Sequence, residues 1–147
     1  MKLKKAVCGH MRVIFDTNII LDVLSNRMPF ADDSVAVTGL AVRNKIVGAI
    51  TSNTVTDIAY QLRRFYPDGA VKMILFDFLT CLEVLTVDHD DCLRACESGI
   101  SDYEDALLVA CAKNWKADYI ITRDKKHFGA SPIPAVSPEA FLKKYSV

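Results

Sequence analysis

Four aspartates stand at positions where a site for metal binding and proton transfer could form. Asp16 ends a short apolar run, and Asp124 lies two residues beyond another such run. Asp57 and Asp105 lie in the first turns of two predicted helices. Two carboxylates about 4 Å apart repel each other by about 4 kcal/mol at an effective dielectric constant of about 20. A fold that gathers these acids therefore needs a cation, and carboxylate oxygens with no Cys or His among them favour Mg²⁺ or Mn²⁺ over zinc.

Each of these acids also has an interpretation without chemistry. Thr54 precedes Asp57 by three residues, as in a capping box, and for this pair alone capping is the more frequent role. The acids of the segment 102–105 suit the start of a helix, where negative charge is favourable. Asp124 could be a turn residue. An acid that ends a buried apolar strand is less common, so a functional role is favoured for Asp16, and the joint placement of the four acids argues for a site.

The elements that must position these acids are strands that alternate with helices. Strands are predicted at 12–16, 47–51, 83–87 and 118–122. Helices are predicted at 19–24, 31–45, from 54, 67–79, 88–98, 102–115 and from 138. This alternation predicts an α/β domain with a mostly parallel sheet of four to five strands, covered on both faces. Ligand sites of such sheets form outside the carboxyl ends of the strands, where the four aspartates are expected.

Composition excludes several classes of protein. The chain has 147 residues, which predicts one domain, and its 51% hydrophobic and 24% charged residues exclude a disordered chain. Its 18 Lys and Arg balance 18 Asp and Glu, which excludes binding to nucleic acid by overall charge alone. No apolar run approaches the ~20 residues that cross a bilayer, so no membrane association is expected.

The cysteines and the N-terminus predict a cytoplasmic protein. The five cysteines are an odd number with no C-x-x-C pair, and the three histidines are scattered, so no zinc pattern is present. Most cysteines are expected to be reduced core residues. Residues 1–11 are basic but lack the apolar stretch of a signal peptide. We therefore expect a short extension at 1–11 and a domain over 12–147.

Four segments of this chain resemble the motifs of the PIN domain, the fold of VapC-type toxin ribonucleases. They occur in the order of the family and read VIFDTNIILD (13–22), TVTDIAY (54–60), DYEDAL (102–107) and YIITRDKKHF (119–128). The first and last of these are the more specific. The resemblance covers nearly the whole chain and implies a three-layer α/β/α PIN-like domain.

The resemblance also implies roles for individual residues. It assigns metal binding to an acidic quartet: Asp16, Asp57, Asp105 and Asp124. It implies that Asn18 and Thr122 are polar supports of that site, and that Asp102 or Glu104 is a more distant acid of it. Many relatives carry Glu at the position of Asp57, and ligation through a water is the alternative for this shorter side chain.

The activity implied by the resemblance is metal-dependent cleavage of RNA phosphodiester bonds. Mg²⁺ or Mn²⁺ is the implied cofactor, and no side-chain nucleophile is required. Proteins of the toxin type commonly form homodimers and are silenced by an antitoxin. A homodimer and a cognate antitoxin partner are therefore expected for this chain, with RNA as its substrate.

An acid-lined site repels RNA, so cations are needed around its rim. Arg123, Lys125 and Lys126 flank Asp124 along the chain and are the better placed candidates. Arg63 and Arg64 follow about two turns beyond the second aspartate of the quartet. For these two arginines a solvated helix face is an equal alternative.

Three other functions remain open. A non-catalytic PIN-fold module could bind RNA or a partner without cutting, although the presence of all four acids argues against it. A haloacid-dehalogenase-like phosphatase would use Asp16 as its nucleophile, but it needs a catalytic Lys and a paired-acid motif that the segment 102–105 supplies poorly. A response-receiver-like domain is disfavoured because the acids are too dispersed along the chain.

Overall fold

A parallel sheet lies at the centre of the structure, a computed structural model that describes residues 10–145. Its strands are β1 (Arg12–Phe15), β2 (Val47–Thr51), β3 (Glu83–Leu85), β4 (Tyr119–Ile121) and β5 (Ala135–Val136). Their spatial order is β3-β2-β1-β4-β5, and each neighbouring pair is parallel. The first strand of the chain is therefore the central strand of the sheet.

Helices connect the strands and cover the sheet. Their bounds are α1 (Thr17–Leu24), α2 (Ala31–Val42), α3 (Ser52–Leu62), α4 (Asp68–Leu79), α5 (His89–Glu97), α6 (Tyr103–Trp115) and α7 (Pro138–Tyr145). A 3₁₀ turn (Lys125–Phe128) follows β4. Within residues 10–145, none of these helices is long and apolar enough to cross a membrane.

The side chains of β1 alternate between the two faces of the sheet, as the pleat of a strand requires. Val13 and Phe15 pack into a cluster with buried residues of α1, α2, α3, α4 and α7. Ile14 packs on the opposite face against residues of α5 and α6. The predicted three-layer α/β/α architecture with a parallel sheet is thus confirmed.

Several predicted boundaries differ from the structure for local reasons. Thr51 caps α3 with its hydroxyl, so that helix begins at Ser52 and not at Thr54. α2 begins at Ala31 without a side-chain cap, although an acid was expected to start it. β5 was not predicted, because two residues are too few to show a period.

The cysteines are less buried than expected. Cys81, Cys92, Cys96 and Cys111 are free thiols, and only Cys111 is buried. The expectation that most cysteines are core residues is therefore wrong for the described part of the chain. Cys8 and nearly all of the predicted extension lie outside the described residues.

Candidate metal centre

An acidic cleft of about 370 Å³ opens beyond the carboxyl ends of β1 and β4. The chain leaves β1 toward β2 on one side and returns to place β4 on the other, so the cleft lies where the strand order reverses. The predicted residues that line it are Asp16, Asn18, Asp57, Asp102, Glu104, Asp105 and Asp124. The lining residues that were not predicted are Thr17, Leu21, Tyr60, Gln61 and His127.

Asp16 follows β1 directly and is held by two hydrogen bonds. Its Oδ1 accepts a bond from the backbone N–H of Thr17 at 2.8 Å, which caps α1. Its Oδ2 accepts a bond from the hydroxyl of Thr122 at 2.8 Å. Burial raises the pKa of this carboxyl and is the largest influence on it, while the two hydrogen bonds lower it. Asp16 therefore both caps α1 and lines the cleft.

Thr122 and Asn18 contact the predicted metal ligands. The hydroxyl of Thr122 donates to Asp16 and accepts a hydrogen bond from the backbone N–H of Asp124 at 3.0 Å. Asn18 donates from Nδ2 to Oδ2 of Asp124 at 3.2 Å. These bonds hold Asp16 and Asp124, which are far apart in the sequence, side by side, and the supporting role of both residues stays a prediction.

Asp57 projects into the cleft from the second turn of α3, not from its first. The cap of that helix is Thr51, whose hydroxyl accepts a hydrogen bond from the backbone N–H of Thr54 at 3.1 Å. The alternative that Asp57 completes a capping box with Thr54 is therefore wrong. The hydroxyls of Thr54 and Thr17 are 3.3 Å apart, and this bond joins the starts of α1 and α3.

The start of α6 supplies three acids to the cleft. Asp102 caps the helix, because its Oδ1 accepts a hydrogen bond from the backbone N–H of Asp105 at 3.0 Å. The helix-start interpretation therefore applies to Asp102, which also lines the cleft. The side chains of Glu104 and Asp105 remain free of the cap and line the cleft as well.

The crowding of these carboxylates changes their proton affinity. Burial raises the pKa of Glu104 to about 7, and the hydrogen bond and negative charge of Asp57 add to this effect. Burial also raises the pKa of Asp105 to about 6, with further increases from the charges of Asp16 and Asp102. Without a bound cation, the cleft therefore retains a proton near neutral pH.

The donor set fits a hard divalent cation, although the ligand shell is not preformed. Within residues 10–145, no three acidic, histidine or cysteine side chains already stand in an arrangement that could hold a metal ion. Mg²⁺ is usually bound through only one or two carboxylates, with waters as its other ligands. The oxygen-rich lining and the raised carboxyl pKa values are those of a site that a divalent cation would stabilise.

His127 is a residue of the cleft that the sequence analysis missed. Its Nδ1 lies 3.2 Å from Oδ2 of Asp105, and this contact lowers the pKa of that carboxyl. The available signal was position: His127 follows Asp124 by three residues in the turn after β4.

The predicted RNA-binding cations do not line the cleft. Arg123 points away, because its Nε and Nη2 donate to the buried carboxylate of Asp22 at 2.8 and 3.1 Å. Its guanidinium also stacks 4.0 Å from the centre of the Phe30 ring. The structure thus does not bring Arg123 to the rim as expected.

The other predicted cations are exposed. Arg63 lies 3.4 Å from the carboxylate of Asp68, and Arg64 is exposed just beyond α3. Lys125 and Lys126 are exposed on the 3₁₀ turn beside the cleft. Among the predicted cations, Lys125 and Lys126 therefore lie beside the cleft, whereas Arg123 does not face it.

Comparisons with known proteins agree with this fold. The sequence profile of the PIN domain matches residues 12–126. A search of curated proteins gave no significant match. VapBC2 from Rickettsia felis, solved with a promoter DNA fragment, is similar in structure with a TM-score of 0.66 and 18% identity, covering 86% of this chain and 98% of that one. A toxin-antitoxin complex from Klebsiella pneumoniae is similar with a TM-score of 0.63 and 22% sequence identity, covering 86% of this chain and 97% of that one. FitAcB from Neisseria gonorrhoeae is similar with a TM-score of 0.65 and 19% identity, covering 86% of this chain and 98% of that one.

Proposed function

Because this chain belongs to the PIN domain family, we propose that it is a metal-dependent endoribonuclease that cleaves phosphodiester bonds of RNA. The observation that carries the proposal is the convergence of four aspartates and Glu104 in one cleft at the strand ends. An acidic cleft of this kind attracts a phosphodiester only when a cation neutralises it. The proposed cofactor is Mg²⁺ or Mn²⁺.

The proposed metal ligands are Asp16, Asp57, Asp105 and Asp124. When bound, the ion would supply Lewis-acid activation of the phosphate and of the attacking water. Asp16 is the most constrained of the four, since Thr17 and Thr122 each bond one of its oxygens. This constraint suits a ligand whose position must not change during the reaction.

Glu104 is the acid in the cleft that is best suited to proton transfer. Its pKa of about 7 lies closer to neutral pH than that of Asp105, and a general base works best when its pKa is near the working pH. The negative charge of its neighbour Asp57 contributes to this raised pKa. We assign proton acceptance from the attacking water to Glu104.

A phosphatase that uses Asp16 as its nucleophile fits the cleft less well. Both oxygens of Asp16 already accept hydrogen bonds, and its side chain is nearly buried. Among the described residues that line the cleft, there is no lysine to serve as the catalytic cation. A non-catalytic binding module would not need all four acids of the quartet.

We extend the proposal to biological role: a toxin that forms a homodimer in the cytoplasm and is held inactive by a cognate antitoxin. The support is the similarity in fold to proteins solved as toxin-antitoxin complexes. A second observation is consistent with a protein partner. Phe65, just beyond α3, and Met73 and Phe76 on α4 are 67%, 70% and 71% exposed, and a patch of exposed apolar side chains is a feature of protein interfaces.

The experiment that tests the activity is incubation with total RNA and transfer RNA, with Mg²⁺, with Mn²⁺ and with a chelator. We expect metal-dependent cleavage by the wild-type chain and none by Asp16→Asn or Asp124→Asn. Asp32→Asn is the matched control, because Asp32 is exposed on α2 and does not line the cleft. Equal cleavage by wild-type and Asp16→Asn protein would indicate a contaminating nuclease and overturn the proposal.

A further inference from the structure

A second hollow of about 290 Å³ lies beside the acidic cleft. It is bounded by the loop between α5 and α6 and by the 3₁₀ turn after β4. Asp102 and His127 line both spaces, so the hollow borders the cleft at these two side chains. An extended polymer that lies in the cleft therefore reaches the hollow directly when it passes over them.

The lining of the hollow differs from that of the cleft. The cleft is lined by six acidic side chains, whereas the hollow has Asp102 as its only acid and Lys126 as a cation among the residues that line it. Gly99 and Gly129 contribute no side chains, which leaves backbone at the surface. The hollow thus offers a phosphate group one positive charge and a single acid, next to a cleft lined by acids.

Lys126 is available to a ligand, unlike two of the predicted arginines. Arg123 is paired with Asp22, and Arg63 with Asp68. Within residues 10–145, Lys126 takes part in no salt bridge, and it is exposed. Its ammonium group can therefore pair with a phosphate without breaking an existing ion pair.

We propose that this hollow is a binding subsite for the nucleotide adjacent to the scissile phosphate of a single-stranded RNA, with Lys126 paired to its phosphate. The inference rests on the proposed function, because the acidic cleft is taken to hold the scissile phosphate. His127 and Asp102 then form the boundary over which the backbone passes. The ligand is recognised by charge and space, so the subsite selects a strand that continues past the cleavage point rather than a particular base.

Lys125 provides a matched control. It carries the same charge, neighbours Lys126 in the same turn and is also exposed, but it lines neither the hollow nor the cleft. If only the positive charge of the turn mattered, changing either lysine would raise KM by the same factor. A subsite in the hollow requires that Lys126 have the larger effect.

The test measures KM and kcat for Lys126→Gln and Lys125→Gln with short RNA oligonucleotides truncated stepwise on either side of the cleavage point. We expect Lys126→Gln to raise KM about fivefold with kcat unchanged. The increase should appear only with substrates that carry a nucleotide on one side of the scissile phosphate. Lys125→Gln should raise KM less than Lys126→Gln does, and by the same factor for every substrate.

Direct binding gives a second readout that does not depend on turnover. Fluorescence anisotropy in Mg²⁺ follows binding of the same oligonucleotides to Asp16→Asn protein with either lysine intact or changed. Loss of one phosphate contact lowers the slope of log K against log salt by about 0.7 for a single strand. We expect the full change with Lys126→Gln and a smaller one with Lys125→Gln.

The outcomes separate the subsite from the activity. Metal-dependent cleavage with equal KM for both lysine variants would overturn the subsite and leave the proposed function intact. An increase in KM for Lys126→Gln that does not depend on substrate length would also overturn the subsite. Absence of metal-dependent cleavage by the wild-type chain would instead overturn the proposed function, and with it the subsite.

Discussion

Crowded carboxylates make the metal-free cleft sensitive to pH at the level of a single residue. The pKa of Glu104 is raised from 4.5 to about 7, first by burial and then by Asp57. An acid with a higher pKa in the folded state stabilises the fold below its unfolded pKa, and this contribution is lost as the pH rises through the folded value. For Glu104 the loss falls between pH 4.5 and about 7.

Glu104→Gln should therefore raise the Tm of the metal-free protein at about pH 8 and leave it nearly unchanged at about pH 4. At about pH 4, wild-type Glu104 is protonated in both the folded and the unfolded protein. At about pH 8 it is a charged carboxylate that lies close to other carboxylates in the folded protein. Calorimetry in a chelator measures both values. Glu97→Gln, which changes an exposed acid outside the cleft, is the control. An equal increase at both pH values would contradict the explanation.

His127 is expected to position Asp105 through its Nδ1, which lies 3.2 Å from the carboxylate. Loss of such a contact lowers metal affinity or activity by about 10-fold to 100-fold, so we expect His127→Ala to reduce both Mn²⁺ affinity and kcat/KM. His127→Asn should retain much of both, because its amide donates from nearly the same place as Nδ1. His127→Gln should retain neither the Mn²⁺ affinity nor the kcat/KM.

Electron paramagnetic resonance titration with Mn²⁺ and steady-state kinetics test this role of His127. A positioning role is contradicted if the Ala and Asn variants behave alike. Equal rescue by Gln would instead assign the effect to Nε2 and to substrate contact.

Cys111 is expected to be chemically inert in the folded protein. Burial, together with the charge of Asp91, raises the pKa of its thiol to about 12, and the thiolate is the reactive species. Cys96 is exposed on α5 and should be alkylated in the native state. Peptide mapping after alkylation, with and without denaturant, distinguishes them, and native modification of Cys111 would contradict its burial.

At the scale of elements, the ion pair between Asp22 and Arg123 ties the turn after β4 to α1. Asp22 is fully buried and also accepts a hydrogen bond from Ser34 of α2. Arg123 directly precedes Asp124, so this pair fixes the backbone from which a predicted metal ligand projects. The contribution of Arg123 to the cleft is therefore structural.

Arg123→Ala should lower the free energy of unfolding by about 3 kcal/mol, because it leaves a buried carboxylate without its partner. Arg63→Ala is the matched control: it removes an exposed pair with Asp68 and should cost less than about 1 kcal/mol. Urea denaturation measures both. Similar losses for the two variants would show that burial does not strengthen the Asp22 pair.

The sequence predicted the elements well where the pattern was local. β2 was predicted with its observed bounds, and β1 within one residue, because both are continuous apolar runs. The start of α3 was misplaced, since Thr51 ends a strand and caps the next helix at once. The two-residue β5 forms only because β4 lies beside it.

The residues of the cleft were predicted by position rather than by contact. Parallel strands bring their carboxyl ends to one edge, so Asp16 and Asp124 could be placed together without knowing any distance. The direction of Arg123 could not be predicted, since its partner Asp22 is 101 residues away. His127 was missed because its role depends on reaching Asp105 across two elements.

At the scale of the whole molecule, a net charge of zero conceals a strong separation of charge. Six of the 18 acidic residues line the cleft, while the lysines of the 3₁₀ turn lie just outside it. Overall charge is therefore a poor guide to the ligand of this protein. The exposed apolar side chains on α4 indicate instead where the proposed protein partner would bind.

The homodimer proposed above predicts a mass of twice 16.3 kDa in solution. Burial of exposed residues such as Met73 and Phe76 would supply hydrophobic stabilisation for an interface. Light scattering across micromolar concentrations measures the mass. A purely monomeric protein over that range would contradict the homodimer.

The central position of β1 has a consequence for synthesis on the ribosome. Asn18 and Asp124, which meet in the cleft, are 106 residues apart, and β4 can join β1 only after the chain has been made as far as Ile121. A nascent chain that stops before β4 thus contains Asp16 but no complete acidic cleft. If the proposed ribonuclease activity requires that cleft, this order of assembly delays the activity until the segment that carries Asp124 has been made.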